Sequence, residues 1–255
     1  MGVRLTVLGS SAAWSESPGR PSSSYLIELG GEALVLDLGQ GALGALFGHR
    51  EPSSIRAVVI SHMHADHHVD LIPLRHHLRY QFGEPRGIGL HVPDELRRRY
   101  DVFCGEDGFL RDLVGPELVA GTREIGPFIL QAHPVLHSEC SYAFRVTAQD
   151  DPVGPGLVYS GDCGRAEDLL PLIHEGDTVL CEAFWSTRTP ERGANHLTAV
   201  QAAGVAQHGQ AARLILTHIL ESNDPQAARE TARQVFSGPV DLAEPGGVVH
   251  IGEQP

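Results

Sequence analysis

Val58-Val59-Ile60-Ser61-His62-Met63-His64-Ala65-Asp66-His67 is an apolar run that ends in four groups able to bind a metal. The Val-Val-Ile portion reads as a strand buried on both faces, because such strands are near-continuously apolar instead of alternating. Beyond it, an extended backbone sends successive side chains to opposite sides, so His62 and His64 share one side. Asp66 and His67 fall where the chain turns into the next helix and can face an adjacent position. Neutral imidazole nitrogens and an aspartate oxygen suit Zn²⁺ and its neighbours. This arrangement favours two metals over one. A polar loop with incidental histidines is the alternative, and H-x-H-x-D-H at the end of a buried strand argues against it.

Outward from this segment, short β-type runs recur at 3–8, 25–29, 33–38, 55–60, 88–92, 128–132, 142–146, 157–159, 178–181, 213–216 and 248–251. Most are rich in Val, Ile, Leu or Tyr and bounded by Gly, Pro, Ser or Asp. Helices are predicted at 69–80, 93–103, 165–175, 196–208 (capped by Asn195) and 225–236 (capped by Asp224). No repeat, low-complexity run or linker divides the chain, so residues 1–255 read as one α/β domain. Strands buried on both faces require cover on both, and two sheets covered by helices is the economical architecture.

The chain has 255 residues, 42% of them hydrophobic, with 29 Gly and 17 Pro, which implies a packed core joined by many turns. Its 19 Lys and Arg against 32 Asp and Glu leave a formal charge of −13. That balance supplies no broad phosphate-neutralising face and argues against extended nucleic acid as a partner. The N-terminus reads as a strand and not a signal peptide, and no run reaches the roughly 18 apolar residues of a membrane span. Cys104, Cys140, Cys163 and Cys181 form no CxxC pair or disulfide framework. A reduced, cytoplasmic setting without membrane partners is the expectation.

The H-x-H-x-D-H motif resembles the signature of the metallo-β-lactamase superfamily, and further segments match in order, His137 in HPVLHSECSYAFRV, Asp162 in LVYSGDCG and His218 in LILTHI; with the N-terminal hairpin the resemblance covers nearly the whole chain. The resemblance implies a four-layer αβ/βα sandwich with a dinuclear site along the sheet edges. It implies His62, His64 and His137 on one metal, Asp66, His67 and His218 on the other, and Asp162 bridging. The cofactors would be two divalent ions, with Zn²⁺ first and Mn²⁺ or Fe²⁺ equally suited to His/Asp ligands. His133 is a rival to His137, but Pro134 follows it. His68, His76 and His77 read as ordinary helix residues. Asp37, in LVLDLGQG, either orients a ligand or forms the turn before Gly39.

Two more segments narrow the resemblance. TVLCEAFW and NHLTAVQAA are similar to the E-A-T/S-F/W and H-x-T-x-x-x-A stretches of the tRNase Z-like branch. That similarity implies that His196 protonates or stabilises the leaving oxygen, that Glu182 polarises it, and that Asp66 also belongs to the catalytic group. Two departures stand out. The interval between His137 and Asp162 leaves no room for a tRNA-gripping arm, and its turn AQDDPVGPG is acidic. Cys163 stands where Thr is usual, and an inert role is the simplest reading.

The armless members similar to this chain include phosphodiesterases of small substrates. The expectation is therefore a dinuclear metal-dependent phosphodiesterase hydrolysing small phosphodiesters such as 3′,5′-cyclic nucleotides. The alternatives are lactone, lactam or thioester hydrolysis on the same fold, or tRNA 3′-end cleavage without an arm. The resemblance also allows a homodimer, with no interface legible in the sequence. Ser10, Ser11 and Ser23 are candidates to sit near a phosphate. Arg75, Arg79, Arg97, Arg98 and Arg99 are more simply a solvated face. Two divalent ions would leave the site with a charge of about +1 inside an acidic protein, a pit suited to a small anion.

Overall fold

Side-chain alternation along strands that are buried on both faces sorts the core into three apolar clusters, and the strands into two sheets. In the computed structural model, which describes residues 2–82, 87–93, 95–190, 193 and 195–252, the first sheet holds β1 (Arg4–Gly9), β2 (Ser24–Leu29), β3 (Glu32–Leu36), β4 (Ala57–Val59) and β5 (Gly89–His91) side by side. The second runs in chain order through β6 (Gly121–Ile125), β7 (Phe128–Pro134), β8 (Tyr142–Ala148), β9 (Leu157–Tyr159), β10 (Thr178–Glu182), β11 (Arg213–Thr217) and β12 (Val240–Leu242). A last strand, β13 (Val248–His250), returns to pair with β1. Each sheet is antiparallel on one side and parallel on the other, the parallel parts being β3–β4–β5 and β9–β10–β11–β12.

Leu34 and Leu36 of β3 join Phe144, Tyr159 and Ile215 between the sheets. Their neighbours Ala33 and Val35 face outward, onto α1 (Ala42–Phe47), α2 (Leu71–Gln81) and α3 (Leu96–Cys104). Leu214 and Leu216 of β11 likewise face outward, onto α4 (Ala199–His208) and α5 (Pro225–Arg233). The result is the four-layer αβ/βα sandwich, with helices on both outer faces. No helix among the described residues is long and apolar enough to cross a membrane.

All eleven expected strands are present, and β6 and β12 are additional. Of the expected helices, 69–80 is α2, 225–236 contains α5 with Asp224 accepting from Ala227 N–H at 3.0 Å, and 93–103 is shortened to α3, with Asp94 outside the described residues. Residues 165–175 form only a 3-10 turn at Ala166–Leu169. Pro171 explains this: it lacks an N–H, and its ring would clash with the carbonyl four residues back. The helix expected from 196 starts instead at Ala199, where Thr198 and Gln201 form a reciprocal capping box. Asn195 is therefore not its cap.

Arg145 and Asp177, both buried, tie β8 to the start of β10 through two parallel bonds of 2.8 and 2.9 Å. Asp177 also accepts from the N–H groups of Gly156 and His174, and Arg145 reaches the carbonyls of Pro152 and Gly154. Removing one partner would strand a buried charge. Asp177→Ala should therefore lower unfolding free energy by about 3–5 kcal/mol, read as a reduced urea midpoint with an unchanged m-value.

Candidate metal centre

Five strand ends converge on one edge of the sandwich. The segment after β4 delivers His62, His64, Asp66 and His67, and the turn after β7 delivers His137. Asp162 follows β9, Glu182 closes β10 and His218 follows β11. Donor atoms of His62, His64, His137 and Asp162 lie within 4.8 Å of one another, as do those of Asp66, His67 and His218. These are the two groups anticipated from the sequence. Asp162 stands between them: one oxygen is 3.5 Å from the Nε2 atoms of both His62 and His137 and 3.3 Å from His218, and the other is 3.3 Å from His67. His133 stays on β7 opposite Ala143, and is in none of these groups.

The inner nitrogens are aimed by what holds the outer ones. His67 Nδ1–H donates to Asp37 at 2.7 Å, and His137 Nδ1–H donates to the Asn195 carbonyl at 2.7 Å. His62 Nδ1 lies 3.0 Å from Ser61 Oγ, and His218 Nδ1 lies 3.1 Å from Ser23 Oγ. Each contact leaves Nε2 facing Asp162. His64 differs, since its Nδ1 lies 3.0 Å from His137 Nε2. Burial lowers the pKa of His62, His64, His137 and His218, which keeps these rings neutral and fit to donate a lone pair. Burial also acts on His67, but Asp162 and Asp37 outweigh it and raise its pKa. Burial opposes ionisation of Asp162, yet the surrounding imidazoles hold it well below the usual carboxylate range.

The donor set fits divalent cations. His62 Nε2, His67 Nε2 and Asp162 Oδ1 are buried with no hydrogen-bond partner. Orphaned buried polar atoms cost about 1–3 kcal/mol each, and charged ones more, so three converging ones define a place for positive charge. A cation there would meet histidine and carboxylate donors already stripped of competing partners.

Glu182, fully buried, accepts from the N–H groups of Cys163, Phe184 and Leu197 and from His196 Nδ1–H, the last at 2.9 Å. Burial favours a neutral His196, but Glu182 outweighs it and raises the pKa. One donor atom of His196 also lies within 4.8 Å of Asp162 and His218. The His196 ring stacks on Phe184, with centroids 4.7 Å apart and planes 28° from parallel. Asp66 accepts from Ala13 N–H at 2.9 Å.

Asp37 proves to be an orienting group, whereas the sequence left it open. Gly39 is needed separately, because a Cβ there would lie 2.0 Å from the Asp66 carbonyl oxygen. Of the serines singled out, Ser23 holds His218, and Ser10 accepts from the His218 N–H through its carbonyl. Asn195 and Phe184 carry no sequence signal of their roles. The Cys163 thiol, pushed up to about 12 by burial, donates to the Arg165 carbonyl, which is the inert behaviour expected of it. His68 is bound to Tyr100 and the Met63 carbonyl, and His77 to Glu51. Arg75 is buried against the Phe109 carbonyl and Glu106 and is not part of a solvated face.

A sequence profile of the Beta-lactamase superfamily domain matches residues 35–219. An uncharacterised protein of Mycobacterium leprae is 35% identical over 262 residues, covering 98% of this chain and 89% of its own. The probable metallo-hydrolase YhfI of Bacillus subtilis is 26% identical, covering 96% of this chain and 99% of its own. Its crystal structure, described as a metallo-beta-lactamase fold protein, superposes with a TM-score of 0.84 at 23% identity, over 98% of this chain and 99% of that one. The short form of human tRNase Z superposes with a TM-score of 0.75 at 23% identity, covering 97% of this chain and 99% of its own.

Elemental analysis of the purified chain should find about two divalent ions per molecule. Asp37→Asn should weaken metal retention by about 10–100-fold, measured by competition with a chromogenic chelator, because it removes the negative charge and one of the two acceptor oxygens of the group that fixes His67.

Proposed function

The chain belongs to the metallo-β-lactamase superfamily and is a metallo-hydrolase, and from that premise we propose that it is a phosphodiesterase of small phosphodiesters, 3′,5′-cyclic nucleotides foremost. The observation that carries this reading is the Glu182–His196 pair beside the metal centre. The pair lies in the two stretches that resemble the tRNase Z-like branch, and a protonated imidazole beside the metals suits expulsion of a sugar alkoxide from phosphorus.

His62, His64 and His137 would hold one divalent ion and Asp66, His67 and His218 the other, with Asp162 shared. Such ions would lower the pKa of a water and take up charge on the phosphoryl oxygens. The chain's own residues do the rest. Glu182, fixed by three backbone N–H groups, keeps the proton on His196 Nδ1 and favours the imidazolium. The opposite nitrogen then has a proton to give the departing sugar oxygen. Phe184 covers one face of the ring and limits its rotation.

The connection from β8 to β9 spans only residues 149–156 and contains Asp150 and Asp151. It supports a small substrate over tRNA, since it offers neither the reach nor the charge to grip a folded polyanion.

Metal-loaded enzyme should hydrolyse cyclic nucleotides or generic phosphodiesters and lose that activity on chelation. His196→Ala should lower kcat on phosphodiesters by about 10²–10⁴ with metal content unchanged by elemental analysis. An enzyme holding two metals that cleaves lactones or thioesters and no phosphodiester would overturn the reading.

A further inference from the structure

The loop joining β1 to β2, residues 10–23, crosses the metal centre on the side of Asp66 and His218. The Ser10 carbonyl accepts from the His218 N–H at 3.1 Å, and Ser23 meets the ring of the same histidine. Between these ends, Ala13 N–H is bound to Asp66. Glu16 accepts from Ser222 N–H at 3.1 Å, and Ser17 donates to Glu221. Arg20 pairs with Glu221 at 2.6 Å and with Glu244 at 3.4 Å.

Trp14 therefore stands between an anchor on one ligand, Asp66, and an anchor on the segment that follows another, His218. The backbone before it is held to Asp66 through Ala13 N–H, and after it the Glu16 side chain meets Ser222 N–H, yet the Trp14 side chain is 52% exposed. The preceding Ala13 adopts φ 41°, a left-handed conformation that alanine takes only at a cost. The chain thus accepts local strain beside Asp66 and leaves the next side chain, a large ring, exposed instead of packed. The charged groups of this loop and of the segments it meets include Glu16, Glu221 and Glu244, with Arg20 engaged by two of them. A second anionic group of a substrate is disfavoured at this rim, and a flat uncharged ring is not.

We propose that Trp14 is the stacking platform for a planar heteroaromatic ring of the substrate, the base of a nucleoside phosphodiester whose phosphate lies at the metal centre. This rests on the phosphodiesterase reading and adds the part of the substrate that gives it selectivity. Indole–base stacking is sequence-tolerant and strong enough to shift binding by an order of magnitude. The platform therefore favours base-bearing substrates over base-free ones without selecting strongly among bases.

The chain has two tryptophans, and the second, Trp185, packs edge-on against Phe184, so emission changes are assigned by substitution. Adenosine 5′-monophosphate should quench the intrinsic fluorescence of the metal-loaded protein, and W14F, checked for unchanged thermal unfolding, should abolish the Trp14 share of that quench. In W14A, KM for a nucleoside 3′,5′-cyclic phosphate should rise about tenfold or more, with kcat altered little. KM for a base-free ribose cyclic phosphate should stay as in the parent, and W14F should fall between. No quench in the parent, a quench that survives in W14F, or equal KM changes for the two substrates would overturn the platform. If neither phosphodiester is hydrolysed but the nucleotide still quenches Trp14, the phosphodiesterase reading fails and the stacking site stands.

Discussion

The carboxylate of Asp37 is the point on which the metal centre is built. One oxygen accepts from the Ser61 N–H at 2.6 Å. The other accepts from the Ser61 hydroxyl, from His67 Nδ1 and from the Tyr159 hydroxyl, at 2.6–2.8 Å. The consequences extend beyond His67. The single hydroxyl proton of Ser61 is committed to Asp37, so Ser61 Oγ can only accept from His62 Nδ1–H. One buried carboxylate thereby fixes the orientation of two imidazoles and leaves both Nε2 atoms turned toward Asp162. Because Tyr159 belongs to β9 and Ser61 follows β4, the same group also registers one sheet against the other at the edge where the ligands meet. Asp37 does this from a left-handed backbone conformation, φ 56°, and His218 is held at φ 55°. Strain of this kind persists only where surrounding contacts over-determine it.

Much of this was legible in the sequence because the ligands follow strand ends, and strand ends are where an apolar run gives way to polar residues. The order of elements followed for the same reason: most strands of the inner parts of both sheets are buried on both faces and announce themselves by composition. The misreadings also have physical causes. In the 165–175 stretch, Leu169, Leu172 and Ile173 mimic the spacing of a helix face, and Pro171 overrules them. β6 carries Thr122, Arg123 and Glu124 on an edge with little burial, and its strand character comes from pairing with β7 instead of from its own residues. Asn195 sits where a helix cap is expected, but its carbonyl is taken by His137, and the cap passes to Thr198. The partners of the ligands were the hardest to see. Ser23 and Asn195 reach their histidines across 195 and 58 residues of chain, and no local pattern encodes such a meeting.

The buried carboxylates at this edge look alike in the sequence, each a strand-end acid, and the number of N–H and O–H donors each receives separates their tasks. Asp37 and Glu182 each collect four donors. A carboxylate so satisfied has no reason to seek a cation, and its negative charge is spent on orienting the groups that surround it. Asp162 is as deeply buried, but Oδ1, 3.3 Å from His67 Nε2, has no hydrogen-bond partner among the described residues, and the other oxygen faces three imidazole nitrogens at 3.3–3.5 Å. Leaving an ionised oxygen buried and unpaired is among the most costly arrangements a protein can hold. The surrounding imidazoles relieve it in part, since burial keeps His62, His137 and His218 neutral while His67 is raised. Positive charge from outside the polypeptide would balance that oxygen. Donor supply therefore distinguishes the acids that position from the acid placed to meet a cation.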